Sequence, residues 1–131
     1  MVARIVYWVS TVLFTAVYAF SVYTYITNPA GSAEQYVGIG YPAYLVQMMI
    51  FVKIAGILAV LVRKPVWLAQ LAYAGFFYHL ILAASAHIAA GIPGLEMAIV
   101  LFVLVILSWL SQNAARGEPA AYVPNWFDRW A

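Results

Sequence analysis

The chain has 131 residues, 67% of them hydrophobic and only 8% charged, and it contains no cysteine. A soluble domain carries roughly a quarter charged residues, so this composition excludes a water-solvated globule, and spans of about 20 residues each leave no room for a large domain outside the bilayer. A formal net charge of +2, with no basic run longer than Arg63-Lys64, argues against a nucleic-acid partner, and the lack of cysteine excludes disulfides, thiolate metal sites and iron–sulfur ligation within the chain.

In chain order, an apolar run predicts a first spanning helix over residues 5–27, stopped by Asn28-Pro29, a turn-favouring pair. The mixed segment from Ala30 to Tyr41 connects it to the next span and has room for one short interfacial helix, with Pro42 suited to a first helical turn. A second span is expected over 42–62 and closes at Arg63-Lys64-Pro65, a turn too short to leave the membrane surface. The third, over 66–90, therefore returns antiparallel to the second. Gly91-Ile-Pro93-Gly94 turns the chain again, and a fourth apolar run covers 95–111. The expected fold is all-α: an integral-membrane, up-down four-helix bundle in residues 1–112, followed by an aromatic C-terminal tail in 113–131.

Orientation follows from the cations. Arg4, Arg63, Lys64, Arg116 and Arg129 all fall on one side of a four-span arrangement, and the opposite loops carry only Glu34 and Glu96. The positive-inside rule makes the cationic side, and with it both termini, cytoplasmic, in a bacterial-type inner (plasma) membrane. Met1-Val-Ala-Arg4 and the apolar residues after it also fit a signal peptide cut after Ala19; with numbering from Met1, the stretch is read as the first span.

Helices in lipid approach one another through small residues. On the third helix Ala72, Gly75, His79, Ala83 and Ala86 share a face, on the second Lys53, Gly56 and Val60 align, and the first carries Thr11, Thr15, Tyr18 and Tyr25 in one stripe flanked by Ser21. These faces are the expected bundle interior. Lys53 lies near the middle of its span, where an ionised side chain costs roughly 2.5 to 3.5 kcal/mol on insertion scales. Counted from the cytoplasmic ends at ~1.5 Å per residue, Lys53 and Thr15 lie at about 15 Å depth and Tyr18 and His79 at about 20 Å. Lys53, His79, Tyr18 and Thr15 are therefore expected to meet in one polar layer. Such a layer either satisfies the lysine and fixes helix arrangement, or lines a ligand pocket or proton path.

His79 and His87 do not make a haem or metal site. Eight positions apart on one helix, they are rotated by about 80° and separated by ~12 Å, and no HxxxH or ExxH spacing is present. His87 and Glu96 are expected instead as a hydrogen-bonded pair across the outer turn, with Glu96 at the positive end of the fourth helix. Met48, Met49 and Met97 read as packing. The sole aspartate, Asp128, lies in the tail, so no Ser-His-Asp set exists and no catalytic residue is assigned. In the tail, Trp126, Phe127 and Trp130 are expected on one broad side of a helical turn, as a membrane-surface or partner contact, with Asp128 and Arg129 opposite.

From Ile5 to about Gln112 the chain resembles the DoxX-like family of membrane proteins. The matching segments are Ile5-Val-Tyr-Trp-Val-Ser-Thr11, Gly40-Tyr-Pro-Ala-Tyr-Leu45, Lys53-Ile-Ala-Gly-Ile-Leu58, Ala72-Tyr-Ala-Gly-Phe-Phe77 and Ser85-Ala-His87. The resemblance implies a four-helix bundle and a link, through the name and some members, to quinone-dependent sulfur oxidation. Members often carry Ser-Gly and a lysine near the outer end of helix one; here Phe20-Ser-Val-Tyr-Thr-Tyr25 has valine for the glycine and threonine for the lysine. Only Lys53 and His87 are carried over.

Two function classes remain open. In one, the protein binds a hydrophobic molecule, a quinone or lipid not covalently held, near Lys53, His79 and Tyr18, and serves a membrane redox system. In the other, it is a non-catalytic accessory or assembly subunit of a larger membrane complex or a homo-oligomer. An autonomous enzyme is the weaker reading.

Overall fold

The computed structural model describes residues 1–131. Its elements are α1 (Val2–Thr27), α2 (Pro29–Gly38), α3 (Leu45–Val62), α4 (Val66–Ala90), α5 (Leu95–Ala115) and a 3₁₀ helix at Asn125–Trp130. There are no strands, and four helices, α1, α3, α4 and α5, are long and apolar enough to cross a membrane. The protein is a multi-pass membrane protein built as a four-helix bundle.

The helices end where backbone chemistry requires it. Asn28 terminates α1 and its side chain accepts from Gly31 N at 3.2 Å, capping α2 with Pro29 in the first turn. This α2 is the short interfacial helix for which the sequence left room. Arg63 takes a left-handed conformation, φ 55°, to end α3, and Gly91 does the same for α4 at φ 63°, a geometry that glycine reaches without strain. Three boundaries differ from those expected, the first being α1, which already begins at Val2. Pro42 to Tyr44 form a turn, with Leu45 N bonded to Pro42 O, so α3 begins at Leu45. In turn, α5 runs on to Ala115 because its polar residues find partners: Ser111 Oγ donates to Leu107 O at 2.6 Å, and Gln112 and Asn113 bind groups on other segments.

Around the bundle, α1 packs between α3 and α5, and α4 packs between the same two on the opposite side. The diagonal pair α1 and α4 therefore meets through long side chains. Phe14 and Tyr18 from α1 interleave with Tyr73 and Phe76 from α4, and Val60, Leu80, Leu101 and Val105 complete the core. Gly56 lets α3 come close to α4: a Cβ at this position would stand 2.9 Å from Phe76 Cζ. Most of the remaining apolar surface, including Phe51, Leu71 and Ile99, is exposed, as a lipid-solvated bundle demands.

At the end bearing both termini, polar groups tie the helices together. Arg63 is buried and donates to Gln112 Oε1 at 3.1 Å, to Asn113 Oδ1 at 3.4 Å and to the Glu118 carbonyl. Gln70 Nε2 also donates to Gln112 Oε1, at 2.8 Å, and Gln70 Oε1 accepts from Trp109 Nε1 at 3.1 Å. Burial lowers the Arg63 guanidinium below its ordinary pKa. Arg116 donates to the Leu61 and Val62 carbonyls at 3.0 and 3.3 Å, placing a cation on the negative end of α3.

The tail folds back on the bundle. Asn113 Nδ2 donates to Ala120 O at 3.0 Å while Ala120 N donates to Asn113 Oδ1 at 2.7 Å, and the Met1 ammonium donates to Trp130 O at 3.0 Å. The three tail aromatics do not share one broad side as expected. A 3₁₀ turn superposes residues three apart, so Phe127 pairs with Trp130 at a 5.6 Å ring separation, and Trp126 stands apart and exposed.

Candidate functional site

The buried Lys53 organises the centre of the bundle. In a helix the Cα–Cβ bond tilts toward the N-terminus, so the long side chain on α3 extends away from the end bearing the termini. It passes the level of Thr15 and reaches the outer part of α1. There Nζ donates to Ser21 Oγ at 2.7 Å and Tyr25 OH at 3.2 Å, and lies 4.3 Å from the Tyr25 ring centroid.

Tyr25 passes the network outward. Its hydroxyl shares a 2.9 Å hydrogen bond with Tyr36 OH on α2, which explains why the short helix lies across the bundle end. Burial, followed by that bond, raises the Tyr36 pKa well above the usual phenol range, so the hydroxyl stays neutral.

On the other side of Lys53, Tyr18 and His79 form a pair. Tyr18 OH stands 2.7 Å from His79 Nδ1, bridging α1 and α4, and Lys53 Nζ is 5.5 Å from the Tyr18 ring centroid. In the tautomer where the phenol donates to Nδ1, the imidazole carries its proton on Nε2. That nitrogen has no hydrogen-bond partner within the chain, and one of the three Lys53 N–H groups is likewise unused.

Both unused donors border a groove of about 600 Å³ between α3 and α4. Small residues open it: Ala55, Gly56 and Ala59 on α3 face Ala72 and Gly75 on α4, with Phe76 as the inner wall. Its lining is apolar except at the end where Tyr18, Lys53 and His79 meet. An elongated apolar slot with donors at one end fits a hydrophobic molecule bearing a carbonyl head.

The structure thus brings Lys53, Tyr18 and His79 together and leaves Thr15 outside their cluster. Thr15 Oγ1 donates to the Thr11 carbonyl on its own helix at 2.6 Å. Helical hydroxyls readily bond back in this way, and the lysine's outward reach removes the competing partner. Depth counted at Cα atoms missed this, because it ignored a side chain several ångströms long. Of the actual partners of Lys53, Tyr25 lies on the stripe of α1 that the sequence singles out and Ser21 flanks it.

The expected His87–Glu96 hydrogen bond is absent. Glu96 is exposed in the first turn of α5, whereas His87 turns inward against Gly94, whose φ of 122° and missing side chain make space for the ring. A Cβ on Gly94 would stand 2.5 Å from His87 Cε1. His87 Nδ1 is buried and has no hydrogen-bond partner.

A separate polar triad, not foreseen from the sequence, lies nearer the termini. Thr11 Oγ1 and Ser108 Oγ share a 2.6 Å bond, and Tyr73 OH lies 2.7 Å from the same Ser108 oxygen. Every hydroxyl in it is used within the triad, so it serves helix registry; Ser108 sits in an apolar run where one serine gives little signal.

Comparison with known proteins yields one family. The model of the DoxX-like family matches residues 9–111. No curated protein and no solved structure matches the chain.

Proposed function

Because the chain belongs to the DoxX-like family of membrane proteins, we propose that it binds a hydrophobic carbonyl-bearing molecule, a quinone or a lipid, in the groove between α3 and α4 and serves a membrane redox system. The observation that carries this reading is the pair of unused donors, the third Lys53 N–H and His79 Nε2, at the polar end of an otherwise apolar slot. An incoming carbonyl oxygen would give both donors a partner, each such hydrogen bond contributing roughly 0.5 to 1.5 kcal/mol and more where the donor is charged.

The groove faces lipid, so a ligand enters sideways from the bilayer with its tail along Ala55, Ala59, Ala72 and Gly75. Quinones and acyl lipids both offer carbonyl oxygens. The head-group chemistry favours a quinone, since two donors can address one carbonyl of a planar ring while Phe76 and Tyr18 present aromatic surface to it. The role assigned to the chain is binding and positioning; electron transfer belongs to the ligand and to a partner in a bacterial-type inner membrane.

A second reading, an accessory subunit docked on a larger complex, draws on Trp126 and Trp130, which are 61% and 48% exposed. Three aromatics held at one end in this way suit a contact surface. The tail's own bonds to Asn113 and Met1 already account for its order, however, so order alone does not call for a partner.

Photo-crosslinking of the protein in membranes with a benzoquinone carrying a diazirine-labelled tail tests the groove. Adducts concentrated at Val52, Ala55 and Ala72 support it. Adducts spread equally over other lipid-facing residues such as Leu13 and Val103 reject it.

A further inference from the structure

From the groove's polar end a second cavity leads away from the end bearing the termini. It occupies about 300 Å³ between α1, α4 and α5, and Tyr18, Lys53 and His79 line both it and the groove. A third space, about 530 Å³ beneath α2 and the Gly91–Gly94 turn, adjoins the second through Ala83 and His87. His87 therefore stands at the neck between an outer mouth and an inner chamber, with an unpartnered buried Nδ1 beside Gly94. Toward the other end the Phe14, Tyr73, Val60 and Val105 core and the Thr11–Ser108–Tyr73 triad fill the bundle interior, and the groove that runs that way beside Ala59 and Leu68 is apolar.

We propose that these connected cavities form a one-sided water passage, entered beneath α2 and gated by His87, through which the Lys53–His79 site exchanges protons with the aqueous phase opposite the termini. An imidazole suits the neck because it can accept a proton on one nitrogen while releasing one from the other. The orphaned Nδ1 is the kind of buried polar atom that an internal water satisfies. The titratable groups around the two chambers are Tyr18 and Tyr25 of α1, Tyr36 of α2, Lys53 of α3, and His79 and His87 of α4; α5 contributes Met97, Ala98 and Leu101, none of which titrates. The passage is a property of the bundle, whereas its use by a ligand rests on the groove reading above. A bound head group that gains or loses protons would then do so with one face of the membrane alone.

The absence of native cysteine makes the passage directly measurable. Single-cysteine variants Ala86→Cys at the mouth, Ala98→Cys in the inner chamber and Leu82→Cys on the lipid face are treated in sealed vesicles with a small, charged, membrane-impermeant thiol reagent. Only a hydrated thiol ionises to react, so Ala86→Cys and Ala98→Cys should label at least about ten-fold faster than Leu82→Cys, and only from the face opposite the termini. Adding His87→Trp should abolish labelling at position 98 and preserve it at position 86, the retained signal reporting an intact fold. If that double variant fails to fold, the single-cysteine rates with His87 in place still decide. Ala98→Cys as unreactive as Leu82→Cys, or equal labelling from both faces, overturns the proposal. Because no ligand enters this assay, a negative groove experiment leaves its outcome independent.

Discussion

Lys53 on α3 donates to Ser21 Oγ on α1 at 2.7 Å, a bond that joins two helices in a setting where lipid offers neither group an alternative. Ser21→Ala leaves the lysine with Tyr25 as its remaining hydroxyl partner and should lower stability by about 1 to 3 kcal/mol. Lys53→Met removes the demand itself and should be closer to neutral. Combining them should show non-additivity of about 0.5 to 3 kcal/mol in thermal unfolding in detergent. Additive losses would mean that the two side chains do not interact.

Gly94→Ala places a Cβ 2.5 Å from His87 Cε1 on a backbone at φ 122°. Both the contact and the conformation oppose it, so the variant should lose at least about 2 kcal/mol. Gly38→Ala is the control: a Cβ there meets nothing within 4 Å, and its stability should stay within about 0.5 kcal/mol of the parent.

Reporter fusions should place Arg4, Arg63 and Arg116 on the cytoplasmic side and Glu34 on the other, because every lysine and arginine outside the spans lies at one end of the bundle. A C-terminal reporter active outside the cytoplasm would reverse the assigned orientation.

The tail is fastened by Asn113, which both donates to and accepts from the Ala120 backbone. Asn113→Ala should leave the four spans folded and increase proteolysis between Gly117 and Tyr122 several-fold, as expected when a local clasp worth about 1 to 2 kcal/mol is lost. Truncation after Arg116 separates the two roles left for Trp126 and Trp130. Reduced recovery of a partner complex with normal insertion indicates docking, and unchanged recovery indicates a membrane-surface contact.

Much of the bundle was legible because lipid imposes simple rules. Apolar runs of spanning length, broken at Asn28-Pro29, Arg63-Lys64-Pro65 and Gly91 to Gly94, allowed little besides four helices. Lys53 announced itself through its cost at mid-span, and Tyr18 and His79 through the faces they share with small residues. Partner choice was less accessible. The direction of a long side chain decided that Lys53 bonds Ser21 and Tyr25 rather than Thr15, and a positive φ at Gly94 decided that His87 turns inward rather than toward Glu96. The Arg63–Gln112–Gln70 network joins residues up to 49 positions apart, a proximity that no local pattern encodes.

The central claim is that the groove beside Lys53 and His79 holds a hydrophobic carbonyl compound, and mass spectrometry of the intact protein released from native membranes tests it most directly. The parent protein should retain one such molecule of defined mass. Lys53→Met and His79→Phe should each reduce its occupancy by about ten-fold, the effect of losing roughly 1.4 kcal/mol of binding, while remaining folded with four protected spans. A folded parent protein that carries no specific ligand, or variants that retain the ligand at parental occupancy, would contradict the account.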